Sequence, residues 1–142
     1  HPDWFVADDE TYVSAHLEQK GFIVVAEASD GEIAGFFIVK YPDKDDNLGT
    51  CLGFDDRQLS QVAVMDSTAV DNAFRGNGLQ GRMLETAENL LDPDRFVYLM
   101  CTVHPENRFS RYNMESHGYQ VKKIARCYGG LERCILLKER GR

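Results

Sequence analysis

One stretch constrains this chain more than any other: Phe74-Arg75-Gly76-Asn77-Gly78-Leu79-Gln80-Gly81-Arg82. It follows Leu59 to Val70, where Leu59, Gln61, Ala63 and Met65 alternate with Val62, Val64, Asp66, Thr68 and Val70; both faces are largely apolar, as in a central strand. After it, Leu79, Met83, Leu84, Ala87, Leu90 and Leu91 recur at helical spacing until Asp92-Pro93 ends the run. A helix start leaves backbone N–H groups unpaired and carries about half a positive charge, so glycines placed there let an anion approach the amides closely. The segment predicts a phosphate site at a strand-to-helix junction. The bland alternative is a glycine-rich helix start that binds nothing.

Gly76-x-Gly78-x-x-Gly81 also matches the dinucleotide fingerprint, but its surroundings argue against a nicotinamide site. That motif wants its first glycine directly after the opening strand of the fold and an acid closing the next strand about 20 residues on. Here Asp71 to Arg75 intervene before Gly76, a hairpin comes earlier, and the next strand ends Thr102-Val103-His104. No Gly-Lys-Ser/Thr follows, which excludes a Walker loop.

Around this element the pattern is regular. Tyr12, Val13, His16 and Leu17 share a helical face between Asp8 and Lys20, acids crowd the first turn and Gly21 follows, which predicts an amphipathic helix. Phe22 to Ala28 and Glu32 to Tyr41, joined by Ser29-Asp30-Gly31, predict a hairpin. Pro42 to Arg57 holds Asp43, Asp45, Asp46, Asp55 and Asp56 with Gly49 and Gly53, the pattern of a long acidic surface loop. Phe96 to Val103 reads as a buried strand, Pro105 to His117 as a shorter helix stopped by Gly118, and Tyr119 to Ala125 with Glu132 to Lys138 as a second hairpin turning at Tyr128-Gly129-Gly130. Strand, helix and strand make a parallel crossover between antiparallel hairpins, so the expected fold is a mixed, largely antiparallel sheet flanked by helices in one α/β domain over residues 1–142.

The composition narrows the function classes. With 142 residues the chain can bury about 68–70% of its unfolded surface in a core without staples. The cysteines Cys51, Cys101, Cys127 and Cys134 form no C-x-x-C pair and lie near no paired histidines, so no metal is expected and reduced thiols in a cytoplasmic protein are. Its longest apolar runs, such as Phe36 to Val39, are far shorter than the roughly 18–20 residues a membrane span needs. The net charge of −7 disfavours nucleic acid, whose phosphates call for Lys and Arg, and permits a cationic partner, although it also simply confers solubility. The chain opens at His1 and enters patterned sequence almost at once, from which an incomplete N-terminus is expected.

Three features together resemble the GNAT superfamily of acyl-CoA-dependent N-acetyltransferases. Val70-Asp71-Asn72-Ala73-Phe74-Arg75-Gly76-Asn77-Gly78-Leu79 is similar to its strand-loop-helix element, V-x-P-x-x-R-G-x-G-[IL]. His104-Pro105-Glu106-Asn107-Arg108-Phe109-Ser110 with Gly118-Tyr119 resembles its later P-x-N-x-x-[AS]…G-[FY] element, and the Ala26 to Val39 hairpin, with Gly35 just after the turn, its second and third strands. The chain departs from the pattern in Asn72 for the usual proline, in Ala73 for a Gln or Arg, and in Met114 where many members carry a Tyr that protonates the departing thiolate. About 20 residues before the hairpin are too few for the family's first strand and full first helical region, so the resemblance implies that the first strand is lacking.

The resemblance implies acetyl-CoA as cosubstrate, no metal, and direct transfer of acetyl to a primary amine of a small molecule or peptide in a ternary complex. It implies that amides of Gly76, Asn77, Gly78, Leu79 and Gly81, with Arg75 and Arg82, hold the pyrophosphate. Backbone of Thr68, Ala69 and Val70 meets the pantetheine and thioester, and Asn107 and Ser110 face the pantetheine arm. A lysine-like amine is neutral in only about one molecule in 2,500 at pH 7, so a base must assist. Asp66, the one carboxylate of the central strand, is the candidate, acting directly or through a water, against capping a neighbouring loop or pairing with an Arg. Tyr112 is the candidate acid, against core packing; Tyr119 and Tyr128 read as packing or substrate-wall residues, Arg108 and Arg111 as exposed helix charge, and His104 and His117 as structural. The acidic loop would suit a cationic acceptor or simply be solvated. No membrane partner is expected, and a homodimer is one form the resemblance allows. The Met114 substitution leaves a second class open, a CoA-binding sensor or accessory module without chemistry.

Overall fold

The computed structural model describes residues 4–6, 11–74, 78–127 and 130–141. Its contacts divide the chain into two units, His1–Lys40 with Asp66–Leu91, and Tyr41–Met65 with Asp92–Arg142.

The first unit is an antiparallel meander. β1 (Trp4–Val6), β2 (Thr11–Glu18), β3 (Gly21–Ala28) and β4 (Ile33–Lys40) pair in sequence order. Val13 on β2, Phe22, Val24 and Ala26 on β3, and Phe37 and Val39 on β4 are buried. Helix α2 (Leu79–Leu90) packs on β3 and β4 and buries Leu79, Met83, Leu84 and Ala87, four of the six side chains whose spacing predicted it; Leu91 is buried at the C-cap, but Leu90 is corrected to an exposed position. The reading of a helix from Asp8 to Lys20 is corrected, since Thr11–Glu18 is a strand; Asp8 to Glu10 lie outside the described residues. Only Val13 of the supposed apolar face is buried, while Leu17 is 83% exposed. Period-two pairing with β3 across a two-residue turn outweighs that short helical pattern. Gly21, read as a helix stop, is instead a strand residue at φ 147°, where a Cβ would lie 2.0 Å from the Val39 carbonyl oxygen. Two strands thus precede the hairpin where the sequence suggested a helix and no opening strand.

The second unit contains a parallel pair. The start of β5 (Val62–Val70) runs parallel to β6 (Tyr98–Val103), and β6 pairs antiparallel with β8 (Leu131–Glu139), which pairs antiparallel with β7 (Gln120–Cys127). Val62, Val64, Met100, Ile135, Leu137 and Leu48 form its core, and Cys101 and Cys134 are buried free thiols. The acidic segment is more ordered than a surface loop. Leu48–Leu52 forms a 3-10 turn, and α1 (Asp56–Leu59) is held by a capping box in which Asp55 accepts from the Gln58 amide and Gln58 accepts from the Asp55 amide. Asn47 is buried, accepts from the Gly49 amide and donates to the Leu59 carbonyl. Leu59 therefore closes a helical turn, and β5 starts three residues later than its alternation suggested. Helix α3 (Arg108–Ser116) is capped by Asn107, whose side chain accepts from the Ser110 amide at 3.1 Å. No helix among the described residues is long and apolar enough to cross a membrane.

Two predictions follow from this packing. Gly35 lies where a Cβ would sit 2.7 Å from the Ala69 carbonyl oxygen and 3.1 Å from Met83 Cε, so Gly35→Ala must push β4 from β5. It should destabilise the protein by about 1–3 kcal/mol in urea unfolding, and an unchanged midpoint would show that the close approach is not required. Burial raises the Cys101 thiol from 9.0 to about 12. Between those values the unfolded chain releases this proton and the folded chain keeps it, so ν_U is smaller than ν_N and stability falls with rising pH. Cys101→Ala should flatten that decline in pH-dependent unfolding; an unaltered slope would count against it.

Candidate functional site

The glycine element emerges at the junction where its sequence put it. β5 enters as a buried strand, with Val62, Ala63, Val64 and Met65 all shielded, and becomes open or half-open from Asp66 to Val70. The Asp71 amide donates to the Ala34 carbonyl oxygen at 2.8 Å, and a single 3-10 turn (Asn72–Phe74) leads toward the loop. Its Asp71 carboxylate accepts from the Ala73 amide, an interaction a proline at position 72 does not need in order to bend the chain. Arg75, Gly76 and Asn77 lie outside the described residues.

Gly78 stands at the N-cap of α2 with φ 70°, in the left-handed region that favours glycine, and no side chain caps the helix. The Arg82 amide reaches back to the Gly78 carbonyl at 3.1 Å. Leu79, Gln80 and Gly81, the first three helical residues, therefore present amides without an intrahelical acceptor, at the positive end of a 12-residue helix. Leu79 buries its side chain, so its contribution to an anion is its amide alone. Arg82 is exposed in the same first turn. The cap position and the bare amides thus meet at one helix end, with Arg82 in the same turn, and this end can take phosphate oxygens.

Next to this element lies a pair that the sequence did not announce. The Lys40 Nζ is 3.4 Å from Asp66 Oδ2, and the Ser67 hydroxyl donates to the same oxygen at 3.1 Å. Asp66 thus pairs with a lysine, where the alternative weighed for it was an arginine or a loop cap, and remains 31% exposed at its side chain. The alternation Phe36, Ile38, Lys40 on β4 was the available signal for the partner, since it directs all three to the face that α2 does not cover. Thr68 on β5 donates its hydroxyl to the Phe36 carbonyl at 3.0 Å.

The remaining candidates lie on α3 in the second unit. Asn107 is committed to the cap, and Ser110 is half-buried. Tyr112 is 75% exposed, so packing in the core, the alternative weighed for it, is corrected: at this position α3 faces solvent. Met114 is buried and Tyr119 is fully buried, with the Lys138 ammonium 5.7 Å from its ring centre, so Tyr119 is a core residue rather than a substrate wall. Arg111 Nε donates to Glu115 Oε1 at 2.6 Å, and this hydrogen bond, with the carboxylate's charge, raises the guanidinium's pKa and marks it as helix charge. The Nδ1 atoms of His104 and His117 engage the Glu106 amide and the Asn113 carbonyl. Among the described residues no group of three His, Cys, Asp or Glu is placed to hold a metal. Tyr128 lies outside the described residues.

A model of the Acetyltransferase (GNAT) family matches residues 1–119. The chain belongs to that family. No curated protein matches the sequence. The solved structures it resembles include a GNAT family acetyltransferase from Elizabethkingia anophelis with acetyl-CoA bound, at 13% identity and TM-score 0.69, covering 93% of this chain and 99% of that one. Nourseothricin acetyltransferase is similar at 16% identity and TM-score 0.67, over 87% of this chain and 67% of that chain. The ribosomal-protein-S18-alanine N-acetyltransferase from Escherichia coli is similar at 19% identity and TM-score 0.65, over 89% and 73%. These likenesses establish a GNAT fold, with the mixed sheet flanked by helices that the sequence led us to expect.

The cap geometry carries a prediction. At φ 70° Gly78 has open space around a Cβ, so Gly78→Ala meets backbone strain alone and should cost about 1–2 kcal/mol in thermal unfolding. An unchanged melting temperature would contradict the left-handed cap.

Proposed function

We propose that this GNAT protein is an N-acetyltransferase that moves the acetyl group of acetyl-CoA to a primary amine by direct transfer in a ternary complex. The observation that carries the proposal is the uncapped start of α2 after β5, with amides lacking an intrahelical acceptor, in a family whose Elizabethkingia anophelis relative has acetyl-CoA bound. Arg75, Gly76, Asn77, Gly78, Leu79, Gly81 and Arg82 are assigned to the pyrophosphate. Backbone of Thr68, Ala69 and Val70 is assigned to the pantetheine and thioester, where an amide aimed at the carbonyl oxygen would stabilise the tetrahedral intermediate. Family resemblance assigns Asn107 and Ser110 to the pantetheine arm.

Asp66 is assigned as the base. Its carboxylate already holds one alkylammonium, that of Lys40, which is the chemistry needed to receive the ammonium of an acceptor and relay its proton to solvent. The departing thiolate takes its proton from solvent or from the exposed Tyr112 hydroxyl, because Met114 has none to give. A second reading, binding without chemistry, draws its support from that buried Met114. The acidic segment gives less support to a cationic acceptor than its composition suggested, since Asp55 caps α1 and Asp56 pairs with Lys44 at 3.4 Å.

A thiol-release assay with acetyl-CoA across a panel of primary amines, run beside calorimetry, tests the assignment. Turnover with at least one amine is expected; binding without turnover on any of them would favour the accessory module. Gly76→Asp puts charge and bulk against the diphosphate and should weaken CoA by at least about a hundredfold, or about 2.8 kcal/mol. Retained affinity would overturn the loop assignment.

A further inference from the structure

We propose that Lys40 is itself an acetyl acceptor, so that the protein acetylates its own β4 strand. This inference rests on the transferase reading above.

Lys40 ends the alternating set Phe36, Ile38, Lys40, on the face of β4 turned away from α2. Its ammonium is 3.4 Å from Asp66 Oδ2, and its side chain is 60% exposed, so it is both anchored and free to swing. Asp66 and Thr68 point to one face of β5, two residues or about 6.6 Å apart. Thr68 in turn is tied to β4 by its hydrogen bond to the Phe36 carbonyl. The amine thus stands beside the assigned base, one step along the strand from the backbone assigned to the thioester. With the thioester on its assigned backbone, an amine carried by the same chain would outcompete one in solution, because it needs no bimolecular encounter.

The other five lysines stand elsewhere. Lys20 sits in the turn between β2 and β3; Lys44 pairs with Asp56, Lys122 donates to Gln120 and Lys123 to the Cys51 carbonyl, all outside the first unit, and Lys138 lies over the buried Tyr119 ring. They serve as internal controls.

In the step itself, one proton of the Lys40 ammonium passes to the Asp66 carboxylate and on to solvent. The freed nitrogen attacks the thioester carbon, a C–N bond forms, the C–S bond breaks, and the nitrogen sheds a second proton that the CoA thiolate takes up as it becomes a thiol. The product is a neutral amide that can no longer pair with Asp66. Acetylation would therefore release the carboxylate to an external ammonium, a self-modification that primes the site.

The test incubates the intact protein with acetyl-CoA labelled in its acetyl group and maps modified lysines by mass spectrometry over time and over protein concentration. Lys40 should acquire label at least about tenfold faster than Lys122 or Lys138, with a rate per molecule independent of protein concentration. Gly76→Asp should bring it down to the rate of the other lysines, and Lys40→Arg should leave their labelling unchanged. Equal labelling of all lysines, or a Lys40 rate that rises with protein concentration, would overturn self-acetylation. If acetyl-CoA binds and external amines are turned over while Lys40 stays unlabelled, the inference fails alone. If acetyl-CoA neither binds nor turns over, it fails together with the transferase reading.

Discussion

A single strand changes its surroundings halfway along, and the candidate chemistry depends on that change. From Val62 to Met65, β5 is buried on both faces and pairs in parallel with β6; from Asp66 onward its side chains are open or half-open. Parallel pairing demands a crossover, which α2 provides, and the crossover demands a turn from strand into helix. The buried half fixes the strand. The open half then carries Asp66 and Thr68, and its end delivers the chain to a helix start with bare amides. A strand buried throughout would hold the same helix but offer nothing beside it.

Electrostatics act here at short range. The chain carries a net charge of −7, yet an anion is assigned to the first turn of α2. Opposing a global field with a local one is feasible because charges separated by more than about 8 Å are largely screened at physiological salt, whereas helix amides act at contact. The same reasoning explains why the acidic segment contributes little as a whole. Two of its aspartates are spent inside the segment itself, Asp55 on a cap and Asp56 on an exposed ion pair that is worth little in water.

Much of this was legible in the sequence, and the parts that were not share a cause. Elements with long, consistent periodicity were read correctly: Leu79, Met83, Leu84 and Ala87 are the buried stripe of α2, and Phe22 to Val39 is a hairpin. The glycines at the helix start were legible, and the structure adds that Gly78 caps it in the left-handed region. The segment from Thr11 to Glu18 was misread because eight residues fit a helical stripe and a strand almost equally, and only its neighbour β3 decides between them. The capping box of α1 and the buried Asn47 were hidden in what looked like acidic loop, because their bonds join residues that composition counts as solvent-facing. The Lys40–Asp66 pair is a contact between residues 26 positions apart in the chain; the β4 alternation sets the face of Lys40 but does not name its partner.

The central claim is that the amides opening α2 receive the diphosphate of coenzyme A. It is tested most directly by amide proton–nitrogen correlation spectra of the labelled protein during titration with CoA and, separately, with a CoA fragment that keeps the diphosphate but lacks the thiol. The account predicts that Gly78, Leu79, Gln80 and Gly81 show the largest shifts with both ligands, and saturate together. Shifts confined to other elements, with these four amides unmoved at saturation, would contradict it.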